Sequence, residues 1–380
     1  MTDRLLELFA VAAPGVEGVL CAELAQLGAQ NPVVIEGGVS FQGDDERMMR
    51  ANLWSRTASR ILLRVARFPA ANLRALASGA AKVAWKNYLS PQHQLQVKAT
   101  CHNSRVYHSG AAAERVLLAA CEAVGCAPAA GKDEGNADAA GPTAAVFVRL
   151  DRDECTLSLD TSGEHLHLRS WRLETAKAPL RENLAAAVLL QAGWAGSEAL
   201  LDPMCGSGTF PIEAALLAAR MPPGGQRRFA FMEWSRFEEA RWRRILEEAH
   251  QLRRAAPVPI HAADRDAGAA AITRRNAERA GVLEHVTVEQ RPLSRTPELP
   301  GPGLLVCNPP YGTRIGAPKD LRDLYAALGN VVRRLPGWRA AIVTPDRQLA
   351  QATGLTFTDA GEALAHGGLR VRVYRTGSLM

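Results

Sequence analysis

The segment Ala199-Leu-Leu-Asp202-Pro-Met-Cys-Gly-Ser-Gly-Thr209-Phe-Pro211 runs from an apolar stretch through a glycine loop into a helix start. Pro211 suits the first turn of that helix, where a missing N–H costs nothing. A strand, a glycine turn and a helix in immediate succession form the junction at the carboxyl end of a parallel strand. Further apolar runs follow at Ile260–Ala263, Val286–Val288, Leu304–Cys307 and Ala340–Thr344, with helical periodicity between them. Alternating strands and helices predict an open α/β sheet of Rossmann-like form with helices on both faces. Two more runs, Leu355–Thr358 and Val371–Arg375, are separated only by the turn-rich Ala360–Gly368. That link is too short for a crossover helix, so the reading is an antiparallel hairpin at the edge of a mostly parallel seven-stranded sheet.

Two of these strand ends carry chemistry. In the first loop Gly206 and Gly208 let backbone approach a ligand, and the helix start offers N–H groups to a carboxylate. Asp202 stands where it can take a ligand amino group. Met204, Cys205, Ser207 and Thr209 complete the loop. The spacing matches neither G-x-x-x-x-G-K nor G-x-G-x-x-G, so a phosphate loop is not indicated. After the next strand comes Asp264-Arg265-Asp266. A carboxylate here accepts hydrogen bonds from ribose hydroxyls; Asp264 is the first candidate, and Asp266 is the second or a helix N-cap. The fourth strand ends in Asn308-Pro309-Pro310-Tyr311. The prolines stiffen the loop and keep Asn308 out of helical backbone. The Asn308 side-chain oxygen and the Pro309 carbonyl are placed to accept both N–H bonds of a planar exocyclic amine, with Tyr311 stacking on the base. A nucleoside-type cradle beside an amine grip points to methyl transfer onto a base nitrogen, with S-adenosylmethionine as donor.

The N-terminal part is organised differently. Leu6–Val11 reads as a strand and Pro14-Gly15 opens an amphipathic helix closed by Gly28. Val33–Ile35 and Val39–Phe41 flank Gly37-Gly38 as a hairpin, Asp44–Trp54 reads as helix and Ser59–Ala66 as strand. This β-α-β-β-α-β order is ferredoxin-like. A helix over Leu73–Leu89, a strand at Leu95–Ala99, a helix ending near Gly125 and strands at Val146–Leu150 and Thr156–Asp160 follow. Between the last helix and those strands, the low-complexity stretch 127–144 is expected to be a flexible loop. The divisions are 1–68, 69–168 and 169–380. The formal net charge of +6 suits a polyanionic partner, and equally an Arg-rich, high-GC coding sequence. Arg clusters such as Arg169–Arg172 are read as solvated faces, and Trp234 and Trp242 as packing residues. Seven scattered cysteines with no close CxxC pair or His-rich cluster indicate neither a zinc knuckle nor a disulfide framework, so no metal is expected. No signal peptide or membrane-spanning run is read, which predicts a cytoplasmic protein.

These residues resemble the THUMP-containing class I S-adenosylmethionine-dependent RNA guanine-N2 methyltransferases, above all the stand-alone bacterial 23S ribosomal RNA enzymes. Phe9-Ala-Val-Ala-Ala-Pro-Gly-Val-Glu17, Gly38-Val-Ser-Phe41, Ala51-Asn-Leu-Trp-Ser-Arg-Thr-Ala-Ser-Arg60 and Leu159-Asp-Thr-Ser-Gly-Glu-His-Leu-His167 carry the likeness before the two motifs above. Ala178-Pro-Leu-Arg-Glu-Asn-Leu-Ala-Ala186 resembles the family's helix against the cofactor, through Arg181 and Glu182. The resemblance implies a ferredoxin-like domain, a THUMP RNA-binding domain and a class I methyltransferase domain. It implies cofactor contacts from Arg181, Glu182, Asp202, Met204, Cys205, Gly206, Ser207, Gly208, Thr209, Asp264, Arg265 and Asn308, and catalysis by Asn308, Pro309, Pro310 and Tyr311. The partner implied is RNA presenting a flipped-out guanine, since a paired amino group faces its partner base. One departure is Glu289-Gln-Arg-Pro292, where the family has an acidic residue for the adenine; Pro292 leaves that contact to backbone, Asp202 or a neighbour. The chain ends soon after the methyltransferase core, so the second catalytic domain of fused members is not expected. Alternatives are the same chemistry on tRNA, or a non-catalytic RNA-binding assembly factor.

Overall fold

The computed structural model describes residues 5–129, 142–175, 180–311, 318–358, 363–366 and 368–378. The first unit runs β1 (Leu6–Val11), α1 (Glu17–Gln26), β2 (Gln30–Ile35), β3 (Gly38–Gly43), α2 (Asp45–Trp54) and β4 (Arg60–Pro69). It is the β-α-β-β-α-β order read from the sequence. Gly28 sits at φ +81, the left-handed conformation that ends a helix cheaply in glycine. The Asp44 side chain caps α2 by accepting from the Arg47 N–H at 2.7 Å. Next come α3 (Leu73–Ala81), β5 (Gln94–His102), α4 (Ser109–Val124), β6 (Ala127–Pro128), β7 (Thr143–Asp151) and β8 (Glu154–Asp160).

Two expectations change here. Helix α3 stops at Ala81 rather than Leu89, and a separate 3₁₀ turn occupies Trp85–Asn87. The buried Trp85 indole donates to the Ala80 carbonyl at 2.9 Å, occupying an acceptor at the end of the helix. The stretch read as a flexible loop over 127–144 has strand at both described ends. Ala127–Pro128 and Thr143 onward pair in parallel with β5. Its residues 130–141 lie outside the described residues.

All eight of these strands form one sheet, in the order β2-β3-β1-β4-β8-β7-β5-β6. The junction is β4 against β8, antiparallel from Leu62↔Asp160 to Pro69↔Glu154. One apolar core follows the whole sheet, from Leu8 and Phe41 to Val146 and Leu157.

The remaining elements are α5 (Glu182–Gln191), β9 (Ala199–Asp202), α6 (Thr209–Ala218), α7 (Glu239–Gln251), β10 (Ile260–Asp264), α8 (Ala267–Arg279), β11 (Val286–Gln290), β12 (Gly303–Cys307), α9 (Pro318–Arg333), β13 (Trp338–Thr344), α10 (Arg347–Ala352), β14 (Leu364–His366) and β15 (Leu369–Arg375). The sheet order is β11-β10-β9-β12-β13-β15-β14. The first five strands are parallel; β15 is antiparallel to β13 and to β14. The edge hairpin therefore exists, but its first strand is Leu364–His366 and not Leu355–Thr358. Leu364 is fully buried, while Phe357 is half-buried, packing against the cluster on the α9 side and edge-on to Tyr374 at 5.4 Å. A three-residue strand is too short to show period-two alternation, so pattern alone missed it.

Successive residues of a strand face opposite sides, and both sides here are covered. Leu200 and Leu304 pack with α5, α6 and α8; Leu201 and Leu305 pack with α9. All four are at most 1% exposed, each contributing about 1.5–3 kcal/mol of burial. The strands thus read as continuous apolar runs, as central parallel strands do. The segment between α6 and β10 leaves this sheet: Phe229, Phe231, Trp234, Trp242 and Ile245 pack into the N-terminal core. Trp234 and Trp242 are packing residues, 6% and 7% exposed.

Candidate active site

The chain order reverses between β9 and β12: from β9 the sequence steps outward to β10 and β11, and β12 returns to its other side. Leu201 pairs with Leu305, so Asp202 and Asn308 leave neighbouring strands at the same carboxyl edge. In open α/β sheets this switch point is where a crevice forms. The tertiary structure thus brings together the two motifs that lie about a hundred residues apart.

The glycine loop is held by backbone and, from behind, by α8. The Cys205 N–H donates to the Ala263 carbonyl at 2.9 Å, and the Gly208 N–H to the Cys205 carbonyl at 2.8 Å. Gly206 and Gly208 stand at φ +56 and +85. A side chain at Gly208 would meet Thr273 Cγ2 at 2.8 Å, so this position demands glycine both for backbone and for space. From behind, Thr273 Oγ1 donates to the Gly206 carbonyl and Asn276 Nδ2 to the Ser207 carbonyl, both at 3.0 Å. Thr273 and Asn276 are fully buried on α8. Sequence reading missed this pair; buried polar residues three apart on a helix are its only signal, and burial is not visible in the chain.

Two carboxylates organise the same edge. Asp264 Oδ2 accepts from the Gly206 N–H and Oδ1 from the Asp266 N–H, both at 3.0 Å. Each oxygen has two lone pairs, so capacity for hydroxyl donors remains. Asp266 accepts from the Ala269 N–H at 3.1 Å and caps α8, the second role foreseen for it. Arg265 is exposed beside them. Asp202 is 2% exposed and accepts from the Met204 N–H at 3.1 Å. Burial, with the Asp264 charge added, holds its carboxyl well above the usual carboxylate range. Cys205 and Cys307 are buried thiols whose pKa is pushed up by the same burial, which leaves them unreactive.

Arg181 is exposed and Glu182 buried at the start of α5. Glu182 pairs with Arg172 at 2.9 Å, and Arg172 also donates to the Leu180 carbonyl at 2.7 Å and Thr209 Oγ1 at 3.4 Å. Burial still pushes the Glu182 carboxyl up to about 7. The reading of Arg169–Arg172 as a solvated face is corrected here. Arg169 is buried, pairs with Glu213 of α6 at 3.3 Å, and donates to the carbonyls of Leu166 and Arg56 at 2.6 Å each. Arg56 reaches from the N-terminal unit to the carbonyls of Leu216 and Met221 at 3.3 and 2.8 Å. The helix that starts at the glycine loop is therefore clamped from both units. Charge counting cannot separate such arginines from exposed ones.

At the other motif Pro309 is buried, Asn308, Pro310 and Tyr311 are half-buried, and Tyr311 packs against both apolar clusters that flank the sheet. The Asn308 Oδ1 atom is buried and has no hydrogen-bond partner among the described residues. An unmatched buried acceptor costs about 1–3 kcal/mol unless a donor reaches it. Pro292, exposed after β11, opens a 3₁₀ turn at Leu293–Arg295 and supplies no acceptor side chain.

Three family profiles match the chain: an RlmL ferredoxin-like domain over residues 7–62, a THUMP domain over 70–160, and an RMKL-like methyltransferase domain over 169–367.

The chain belongs to the RMKL-like methyltransferase family.

Its class I α/β methyltransferase fold follows ferredoxin-like and THUMP units, as the resemblance implied. The ribosomal RNA large subunit methyltransferase K/L of Syntrophotalea carbinolica is 40% identical, covering 93% of this chain and 51% of its own. That of Methylococcus capsulatus is 37% identical over 97% of this chain and 50% of its own. The chain spans about half the length of these relatives. A protein crystallised with SAH is 31% identical, with both chains covered fully and a TM-score of 0.87. A Listeria monocytogenes protein named for N6-adenine-specific DNA methylation matches at 31% identity over 99% of this chain and 97% of its own, TM-score 0.87. Among the described residues no group of His, Cys, Asp and Glu could hold a metal ion, and no helix is long and apolar enough to cross a membrane.

Proposed function

We propose that this RMKL-like domain, with its N-terminal units, transfers methyl from S-adenosylmethionine to the exocyclic N2 amine of a guanine in large-subunit ribosomal RNA, in the cytoplasm. The observation that carries the reading is the unpartnered Asn308 oxygen on the strand next to the glycine loop. The curated relatives, named for ribosomal RNA large-subunit methylation, support the substrate, and the basic balance of the chain suits it. The domain divisions 1–68, 69–168 and 169–380 go with the proposal.

The residues present fit the donor. Asp202 supplies a buried carboxyl for an amino group and Asp264 a carboxylate with acceptor capacity for ribose hydroxyls. The start of α6 supplies N–H groups for a carboxylate. Met204, Cys205, Ser207 and Thr209 shape the loop, with Arg265, Arg181 and Glu182 at its margins. Bound S-adenosylmethionine supplies an electrophilic methyl on a sulfonium.

Asn308 Oδ1 and the Pro309 carbonyl accept the two N–H bonds of the guanine amine and direct its lone pair out of the base plane. Tyr311 holds the base by stacking, and Pro310 fixes the loop. The N–C bond forms as the S–C bond breaks. The amine proton, made acidic by that step, leaves through the Asn308 and Pro309 acceptors to water, so no strong base is needed.

Nucleoside mass spectrometry of ribosomal and transfer RNA from a deletion strain tests the assignment. Loss of N2-methylguanosine from the large-subunit RNA is expected. Its retention there with a loss in tRNA would move the substrate, and a change in neither would sink the proposal.

A further inference from the structure

In the N-terminal sheet, the β5–α4 connection and the β7–β8 turn are joined by hydrogen bonds into one tip. The Arg105 N–H donates to Asp153 Oδ1 at 2.7 Å, the Asp153 N–H to Ser104 Oγ at 3.1 Å, and the Arg152 N–H to the His102 carbonyl at 3.2 Å. Asn103, Arg152 and Asp153 all have positive φ, at 46, 52 and 62, half of the non-glycine residues described as doing so. Arg152 and Asp153 form the two-residue turn between the paired Asp151 and Glu154, where positive φ is the usual hairpin geometry. What the tip displays is Tyr107, 83% exposed, the most exposed large apolar side chain described. It has no ring contact and no hydrogen bond among the described residues. Beside it in the tip are the side chains of His102, Arg105 and Arg152, 70%, 79% and 81% exposed.

We propose that Tyr107 is a stacking platform for an unpaired nucleobase of the substrate RNA, a second contact remote from the methylated base. An aromatic face held in water by a stapled loop costs solvation that a stacked base recovers, and any base serves because each has a π-face. Asp151 and Asp153 offset much of the charge of Arg152 and Arg105, with N···O distances of 3.6 and 3.3 Å. Stacking, rather than phosphate attraction, therefore supplies the affinity here. The tip lies at the Glu154 end of β8, while the methyltransferase unit is joined beyond Asp160. Seven residues at about 3.3 Å each put about 20 Å between the tip and the end of β8 from which the chain leads on to the methyltransferase unit.

The inference rests on the substrate being RNA, not on which base is methylated. The test is fluorescence anisotropy of the full chain with a fluorescein-labelled single-stranded RNA of mixed sequence, and with the same RNA made abasic. Tyr107→Ala is expected to weaken binding to the first by roughly 5- to 150-fold, with an unchanged salt slope. Tyr107→Phe should stay near wild type, and the abasic RNA should not distinguish any of the three proteins. Exposure of the residue predicts an unchanged Tm. Equal binding by Tyr107→Ala and wild type, or a deficit that persists on abasic RNA, overturns the proposal. If methylation of ribosomal RNA proceeds and Tyr107→Ala binds normally, this inference alone falls. If no guanine is methylated and the Tyr107 dependence holds, the proposed function alone falls.

Discussion

The glycine loop and the Asn308 turn stand at the ends of adjacent strands and are built in opposite ways. In the loop, the N–H groups of Met204, Cys205, Gly206 and Gly208 and the carbonyls of Gly206 and Ser207 all have protein partners. At the turn, two prolines stiffen the backbone and the Asn308 side-chain oxygen has no partner among the described residues. A cradle must keep its shape before a flexible ligand arrives, so its own polar groups are satisfied internally. A grip must offer unmatched acceptors to the reacting amine, and a rigid loop bears their cost. On the proposed function, shape and stability belong to the first region, and turnover to the second.

The largest expected effect tests the support beneath the cradle. Arg169→Met leaves Glu213 buried without its cation and should destabilise the fold by about 3–5 kcal/mol, read as a lower Tm. A Tm within a degree of wild type would mean that the clamp on α6 is not structural. Next, Asn308→Ala should cut kcat by at least about 10²–10³, by analogy with the loss of one transition-state hydrogen bond. Its cofactor affinity by calorimetry should fall far less than its turnover, and its Tm should not drop, since the residue removed carries an unmatched buried acceptor. Near-normal turnover would end the distinction between grip and cradle.

Gly208→Ala should lie third, with about 1–2 kcal/mol lost to left-handed backbone and more to the Thr273 contact. Both Tm and cofactor affinity should drop, the reverse of the Asn308 pattern. The smallest effect is the pH slope of cofactor affinity. The Asp202 carboxyl is raised, so it is neutral below its folded pKa and must release a proton to hold a cationic amino group. Affinity should therefore increase with pH, by at most about tenfold per unit. Asp202→Asn should flatten that slope. The same raised pKa means that cofactor-free protein loses stability as pH climbs from the ordinary carboxylate range through the folded value, and the variant should lose less.

How far the sequence could be read depended on the period of each signal. β1 appears with the bounds Leu6–Val11 because alternation marks a half-buried strand, and Gly37-Gly38 marks the β2–β3 hairpin by turn chemistry. The strand before the glycine loop was legible for another reason: central parallel strands are apolar throughout. Leu364–His366 has neither length nor period, and only burial of Leu364 against the second core defines it. Arg169 looks like any other arginine in the chain; its role follows from Glu213 arriving from α6.

By itself the sequence determined the two loops and their residue types, because glycine, proline and asparagine act through local backbone chemistry that any fold must accommodate. It also carried the order of elements and the family. Only tertiary structure decided that the first two units share one eight-stranded sheet, that Thr273, Asn276 and Arg172 hold the cradle, and that Asn308 keeps an oxygen unmatched. Those depend on which groups from distant segments are packed together and shut off from water. Burial of that kind belongs to the whole molecule.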